Sequence, residues 1–388
     1  MSGAAPMPFA LLLDRFDPAR GGTERYLGEL AARLAARGHS VRVYCREGVA
    51  TPAVTLVPIT TRARTRGALE REFAMRASER ARTDGCAPLL GIRHVVDVDV
   101  YQPHGGSWGA SIAARLAADR SPLRRGIRRA LHAVSAKQRW FHFADREVFA
   151  RNPRLLTLAV SSLVRDDLLG RFGELKPRIE LLPPAIDLAR FAAARTSSAA
   201  LAAAEQHAVA RGSSRLLFLA HDFELKGLAA AIGGFAASDA ARRGGLLLVA
   251  GRGRAARYAA LAKKLGVGAQ VRFLGMQSDS AALLGASDLL LHPTHYDPCA
   301  LVTLEALAAG VPVVTSDRNG AAEFVAEGGG RVVAAPSADA VAGAAEIAAA
   351  IDSTLAERES LRTRAAAVGA RFGWDGHVAR FEALVASR

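Results

Sequence analysis

The chain has 388 residues, half of them hydrophobic, with 51 Lys and Arg against 37 Asp and Glu and a net charge of +14. That length exceeds one ordinary core and favours two domains, and the sequence has no uncharged run approaching the roughly 18 residues that a bilayer-spanning helix needs. Three cysteines, Cys45, Cys86 and Cys299, show neither paired spacing nor a Cys/His cluster, which excludes a disulfide framework and a zinc site and predicts a reduced, cytoplasmic setting. The apolar run near the N-terminus has no basic segment before it and no cleavage site after it, so it reads as a first strand rather than a signal peptide.

That strand covers 9–13, followed by a loop over 14–22, a helix over 23–37 with Tyr26, Leu27, Leu30 and Leu34 on one face, a stop at Gly38 and a strand over 41–44. Together they form a βαβ unit. Ala19-Arg20-Gly21-Gly22-Thr23 opens the helix, and paired glycines at a helix start let backbone approach a ligand closely. Further strands are predicted at 54–57, 94–98 and 155–160, with helices between the later ones. His104, with Gly105 and Gly106 after it, follows the strand-like 95–100 and is able to present its ring to a cleft, although a lone loop histidine is also an ordinary surface residue.

Charge concentrates in this half. Residues 61–82 hold seven arginines against three glutamates, a net +4, and residues 111–154 hold eleven Lys and Arg against three acids, a net +8. A helix carrying Arg124, Arg125, Arg128 and Arg129 beside Leu123, Ile127 and Leu131 suits an anionic membrane surface. A solvated basic face would look the same. Nucleic acid is a rival partner but is not expected, because neither segment interleaves aromatics with base-reading side chains and no helix-turn-helix or finger signature is present.

The proline pair in 181–186, LLPPAI, stops regular structure and marks a crossing to a second unit. Strands at 216–220, 246–250, 271–274, 289–292 and 313–315 then alternate with helices at about 226–238, 255–265, 278–286 and 300–309. This alternation predicts an α/β chain of doubly wound parallel sheets, which take ligands beyond the carboxyl ends of their strands. Lys226-Gly227 follows one such strand, and a lysine at a helix start opposite a phosphate neutralises developing charge. Gly251-Arg252-Gly253-Arg254 follows another and lacks the third glycine and the acidic residue of a dinucleotide fingerprint. Residues 292–312, HPTHYDPCALVTLEALAAGVP, set Asp297 and Glu305 eight residues apart around a helix start. The first amides there, around Ala300, Leu301 and Val302, form a ready anion site, with Glu305 within reach of a ribose and Asp297 of a sugar. The same acids also fit a plain surface helix and its preceding turn. A last helix is predicted over 374–387, with His377, Phe381 and Leu384 on one face.

In this order the motifs resemble the retaining GT-B glycosyltransferases of family 4, whose donor motif is a pair of glutamates separated by seven residues and followed by a Gly-x-Pro-Val strand. Here Asp297 stands for the first glutamate, shortening its reach by one methylene, and Leu225 stands where a basic residue often precedes the lysine. The stretches 137–149 (KQRWFHFADREVF), 178–187 (RIELLPPAID) and 258–267 (YAALAKKLGV) look most like the branch of the family that adds the first outer-core hexose to the inner-core heptose of lipopolysaccharide. The resemblance implies two Rossmann-like domains facing a cleft. An acceptor domain would cover 1–185, joined by the helix 374–388, and a nucleotide-sugar domain would cover 186–373. It also implies a UDP-sugar donor, a lipid-linked saccharide acceptor, and no cofactor and no metal. Glu305 would hold the ribose, Asp297 the sugar hydroxyls, and Leu301, Val302 and Lys226 the diphosphate. Gly21 and Gly22 would meet the diphosphate and the acceptor, Gly251 and Arg252 would border the nucleotide, and His104 would lie beside the reacting carbon. The expected enzyme is cytoplasmic and peripheral on the inner membrane face. Alternatives are a transferase for another polysaccharide or glycolipid, a basic nucleic-acid-binding protein, or a nucleotide-sugar epimerase.

Overall fold

Parallel strands that are buried on both faces read as near-continuous apolar runs, and such runs build both sheets of this protein. The computed structural model describes residues 6–388 apart from 20, 53, 120, 211 and 212, so Arg20 of the glycine loop and Arg120 of the basic segment lie outside the described residues. The first sheet consists of β1 (Pro8–Leu12), β2 (Ser40–Cys45), β3 (Thr55–Pro58), β4 (Leu89–Gly91), β5 (Val100–Tyr101), β6 (Leu156–Ala159) and β7 (Arg178–Leu181), in the order β3-β2-β1-β4-β5-β6-β7. The second consists of β8 (Arg215–Leu219), β9 (Leu246–Ala250), β10 (Val271–Gly275), β11 (Leu289–His292), β12 (Val313–Ser316) and β13 (Gly330–Val333), in the order β10-β9-β8-β11-β12-β13. Pairing is parallel throughout both sheets. Each sheet therefore reverses its winding once, between β1 and β4 and between β8 and β11. The carboxyl ends of strands at such switch points are where open α/β sheets take ligands.

The chain divides into two compact units. One comprises the described residues up to Ile112 together with Gly126–Ala185 and Trp374–Arg388, and the other comprises Ala113–Arg125 and Ile186–Gly373. The core of the first unit gathers Phe9, Leu11, Leu30, Leu34, Leu90 and Leu158 around Trp374, Val378, Phe381 and Leu384 of the last helix, Trp374–Ala386. That helix is thus part of the first fold, as the GT-B resemblance implies. A polar clamp adds to it: Glu382 accepts from Arg37 Nη1 at 2.7 Å and lies 3.1 Å from His39 Nε2. The core of the second unit is built by Phe218, Phe235, Leu247, Val249, Leu289, Leu291, Val314 and Ile351.

One expected strand is absent. Residues 94–98 do not form a ladder, and the pairing segments are instead β4 before them and β5 after them. His94 adopts φ +56°, which breaks an extended run, and its ring lies flat on Phe141 at 3.5 Å. Val95, Val96 and Val98 are buried, so this apolar run fills core from a loop.

Phe381 is fully buried, with its ring 5.9 Å from that of Phe9. Phe381→Ala is expected to lower unfolding free energy by about 3–5 kcal/mol. Urea denaturation followed by tryptophan fluorescence measures this, and an unchanged midpoint would show that the last helix adds little to the first core.

Candidate functional site

The carboxyl ends of β8 and β11 carry the most concentrated chemistry in the second unit. After β8 the loop 220–227 runs against the loop that follows β11: His295 N donates to Leu225 O at 2.9 Å, and Thr294 Oγ1 donates to the same carbonyl at 3.1 Å. Gly227, at φ +77°, makes this approach possible, since a Cβ there would lie 1.9 Å from Pro293 O. From this seam Lys226 Nζ donates to Asp297 Oδ2 at 2.7 Å and to Tyr296 O at 3.1 Å. The turn after β9 meets the same loop. Gly251, at φ +122°, would place a Cβ 1.8 Å from Ala220 O, and Arg252 beside it is exposed.

The helix Leu301–Ala308 begins next to this pair. Leu301 and Val302 occupy its first two positions, where backbone N–H groups have no intrahelical acceptor. Glu305 lies four residues beyond Leu301 and three beyond Val302, hence on the same face, and all three are half-buried. The helix starts later than its sequence predicts, because Ala300 is the residue before the first turn and its amide is already engaged by Asn319 Oδ1 at 3.1 Å. Of the three amides expected to open the anion site, Ala300 is thereby removed.

Asn319 is the residue that sequence reasoning missed. Its Oδ1 accepts from the backbone amides of Ala300 and Ala321 at 3.1 and 3.0 Å. Those two donors fix the orientation of the side-chain amide, and Nδ2 accordingly donates to Thr303 Oγ1 and Thr315 Oγ1, each at 3.0 Å. Asp297 is tied to the same turn through Asp297 N to Arg318 O at 2.9 Å and Gly320 N to Asp297 O at 2.8 Å. In the sequence, Asn319-Gly320 reads only as a turn.

His292, at the end of β11, was likewise not expected at the site. It is buried, and its Nε2 lies 3.6 Å from Asp297 Oδ2. Burial depresses its basicity and the Lys226 charge adds to this, against the opposing pull of Asp297. For Asp297 itself burial favours the neutral acid, but the Lys226 ammonium and the His292 contact outweigh it and hold the carboxyl down to about 2. At neutral pH this is therefore an ammonium–carboxylate pair in a largely dry setting, at the mouth of a helix that offers two further N–H groups.

In the first unit Gly21 precedes the helix Gly22–Ala36 in extended conformation, and Gly22 is its first residue. His104 lies in the loop after β5, half-buried, with its ring 4.6 Å from that of Tyr26. Burial, with a smaller contribution from His377, lowers its basicity to about 3, so the ring is neutral. Arg124, Arg125, Arg128 and Arg129 lie on the helix Pro122–Val134, none of whose residues is buried. On that helix Leu123, Ile127 and Leu131 are 74%, 52% and 59% exposed. Among the described residues no helix is long and apolar enough to cross a membrane, and no group of three or more His, Cys, Asp or Glu is arranged to hold a metal ion.

Residues 20–190 match the family described as Glycosyltransferase Family 4, and residues 202–368 match that described as Glycosyl transferases group 1. The chain is similar to lipopolysaccharide glucosyltransferase WaaG of Escherichia coli (strain K12), at 26% identity over 320 residues, which covers 81% of this chain and 82% of that protein. Among solved structures it resembles WaaG, a glycosyltransferase involved in lipopolysaccharide biosynthesis, with a TM-score of 0.76 at 23% identity over 97% of this chain and 98% of that one. Anabaena Alr3699/HepE in complex with UDP-glucose reaches 0.68 at 17% identity, over 98% of this chain and all of that one. At these identities the structural likeness is one of fold.

The Asp297 carboxyl is held below the ordinary aspartate value of 3.8, so its stabilising contribution is present above about pH 4 and fades as pH falls towards 2. Asp297→Asn removes that contribution and leaves Lys226 without its carboxylate. Urea unfolding between pH 2 and 7 is expected to give lower stability at neutral pH and a shallower loss on acidification than in the parent. Two superimposable stability profiles would rule out a buried ion pair.

Proposed function

The chain belongs to the GT-B glycosyltransferases of family 4 and is a hexosyltransferase, and from that premise we propose a specific reaction. A hexose, glucose in the first instance, passes with retained configuration from UDP-hexose to a lipopolysaccharide core or related lipid-linked saccharide. The observation that carries this reading is the Lys226–Asp297 pair beside the start of the helix Leu301–Ala308, with Glu305 one turn further along the same face. A diphosphate at that helix start accepts from the Leu301 and Val302 amides and takes Lys226 as its counter-ion. Glu305 then accepts from ribose hydroxyls and Asp297 from those of the sugar. Gly251 and Arg252 border the nucleotide. Gly21 and Gly22 offer backbone to the diphosphate and acceptor, and His104 lies beside the reacting carbon as a neutral hydrogen-bonding group.

Charge developing on the leaving diphosphate is met by the Lys226 ammonium and the helix N-terminus, which take the place of a metal ion; the reaction accordingly needs no metal and no cofactor. Lys226 is paired with Asp297, so a diphosphate competes for an existing partner. As the lysine turns towards phosphate, Asp297 becomes available to a sugar hydroxyl. Donor binding and release of the carboxylate are in this way one event.

The enzyme works at the anionic inner face of the cytoplasmic membrane. Helix Pro122–Val134 supports this, since Leu123, Ile127 and Leu131 recur every four residues and stand exposed among four arginines. Such a helix lies in a headgroup layer, with each cation contributing on the order of 1 kcal/mol near an anionic surface.

Glu305→Ala is expected to weaken UDP-glucose binding by about 1.5–3 kcal/mol, through loss of a charge-assisted acceptor. Calorimetry gives the affinity directly, and parental affinity would refute the donor site. Replacing Arg124, Arg125, Arg128 and Arg129 together by Gln should sharply reduce co-sedimentation with anionic vesicles at low salt while leaving UDP-glucose affinity unchanged. Parental sedimentation would mean that the four arginines form only a solvated face.

A further inference from the structure

A chain of hydrogen bonds inside the first unit leads from the last helix to the loop that carries His104. Tyr26 is buried on the first helix, and its hydroxyl lies 2.7 Å from His377 Nε2 and receives a hydrogen bond from Gln102 Nε2 at 3.0 Å. Burial keeps His377 neutral by lowering its basicity to about 4, and the tautomer with Nε2 free of a proton lets that nitrogen accept the single Tyr26 hydroxyl proton. The run thus leads from Gln102, which donates to the Tyr26 hydroxyl, to the hydroxyl's contact with His377 Nε2.

The other end of the run reaches His104. Gln102 O accepts from the His104 backbone amide at 2.9 Å, while Gln102 N is held by Gly91 O at 2.9 Å, the last residue of β4. The Tyr26 ring packs against the His104 ring at 4.6 Å and stacks on Trp374 at 5.4 Å. His104 Nε2 is enclosed and has no hydrogen-bond partner among the described residues, and the same holds for Gln102 Oε1. The Tyr26 face and the Gln102 backbone set the orientation of the imidazole.

We infer that Tyr26, Gln102 and His377 are positioning residues for transfer, which lock the His104 ring at the angle it presents to the reacting sugar and so make the last helix part of the catalytic apparatus. This inference rests on the reading of His104 as the group beside the reacting carbon. A ring held by packing and by a supported backbone loses little orientation when the ligand arrives, and supporting groups of this kind typically carry effects of roughly ten- to hundred-fold.

The test uses the full chain and UDP-glucose, read as UDP release by transfer to water so that no acceptor is required. Tyr26→Phe keeps both ring contacts and removes only the hydroxyl. The expected result is a fall in kcat of roughly ten-fold or more with KM for UDP-glucose unchanged, which a purely stabilising tyrosine would not produce in folded protein. His377→Gln retains an acceptor for the hydroxyl and should keep more turnover than His377→Leu. Long-range 1H–15N spectra should show His377 protonated at Nδ1 in the parent and perturbed in Tyr26→Phe, independently of any turnover. Parental kcat in Tyr26→Phe beside an inactive His104→Ala overturns the positioning role alone. Parental turnover in His104→Ala instead overturns the assignment of His104, and with it the reason for the network. An Nε2-protonated His377 in the parent overturns the hydrogen-bond chain.

Discussion

One buried side-chain amide, that of Asn319, uses all of its hydrogen-bonding capacity to hold three pieces of backbone together. Its oxygen takes two main-chain donors and its nitrogen serves two threonine hydroxyls, so no other residue of similar size satisfies all four partners. Aspartate lacks the donors, and leucine leaves buried polar groups unpaired. From this node follow the start of the helix Leu301–Ala308, the path of the turn after β12, and the placement of Asp297 against that turn. Lys226 finds its carboxylate because Asn319 has already fixed where that carboxylate stands.

The site is held by backbone more than by side chains. Gly227 and Gly251 bring two loops against neighbouring carbonyls at distances that no Cβ permits, so three successive strand ends, those of β9, β8 and β11, close on one another. Such contacts leave few degrees of freedom to the segments that carry Lys226 and Asp297. Electrostatics then sharpens the arrangement: the pair is mostly shielded from water, where attraction between unlike charges is stronger and the acid stays ionised. An ion pair of this type costs desolvation and is weak evidence for stability in itself. Its value here lies in keeping a cation and an anion at a defined point beside a helix N-terminus.

Much of the fold was legible because buried parallel strands announce themselves as short apolar runs, as at 246–250 and 289–292, where the expected and observed bounds agree. Periodicity failed at 94–98, where valines fill a core from a loop and no local signal distinguishes that role from a strand. Of the site residues, Lys226 and Asp297 were found by their motifs, yet nothing in the sequence says that they pair, because seventy residues of chain separate them. His292 and Asn319 escaped for the same reason: one reads as the end of a strand and the other as a turn, and their importance arises from partners brought together by folding. Tyr26 and His377 were visible only as members of apolar helix faces.

The last helix has a further consequence for how the chain is made. The first unit buries Phe9, Leu30 and Leu34 against Trp374 and Phe381, yet the whole of 186–373 is synthesised before those two residues exist. At about 5–20 residues per second a ribosome needs on the order of ten to forty seconds for that stretch. During this interval the nascent first unit shows an apolar groove whose natural cover has not emerged. The groove is one for chaperones to attend, and a ribosome that stalls late in the message leaves an aggregation-prone protein rather than a merely shortened one.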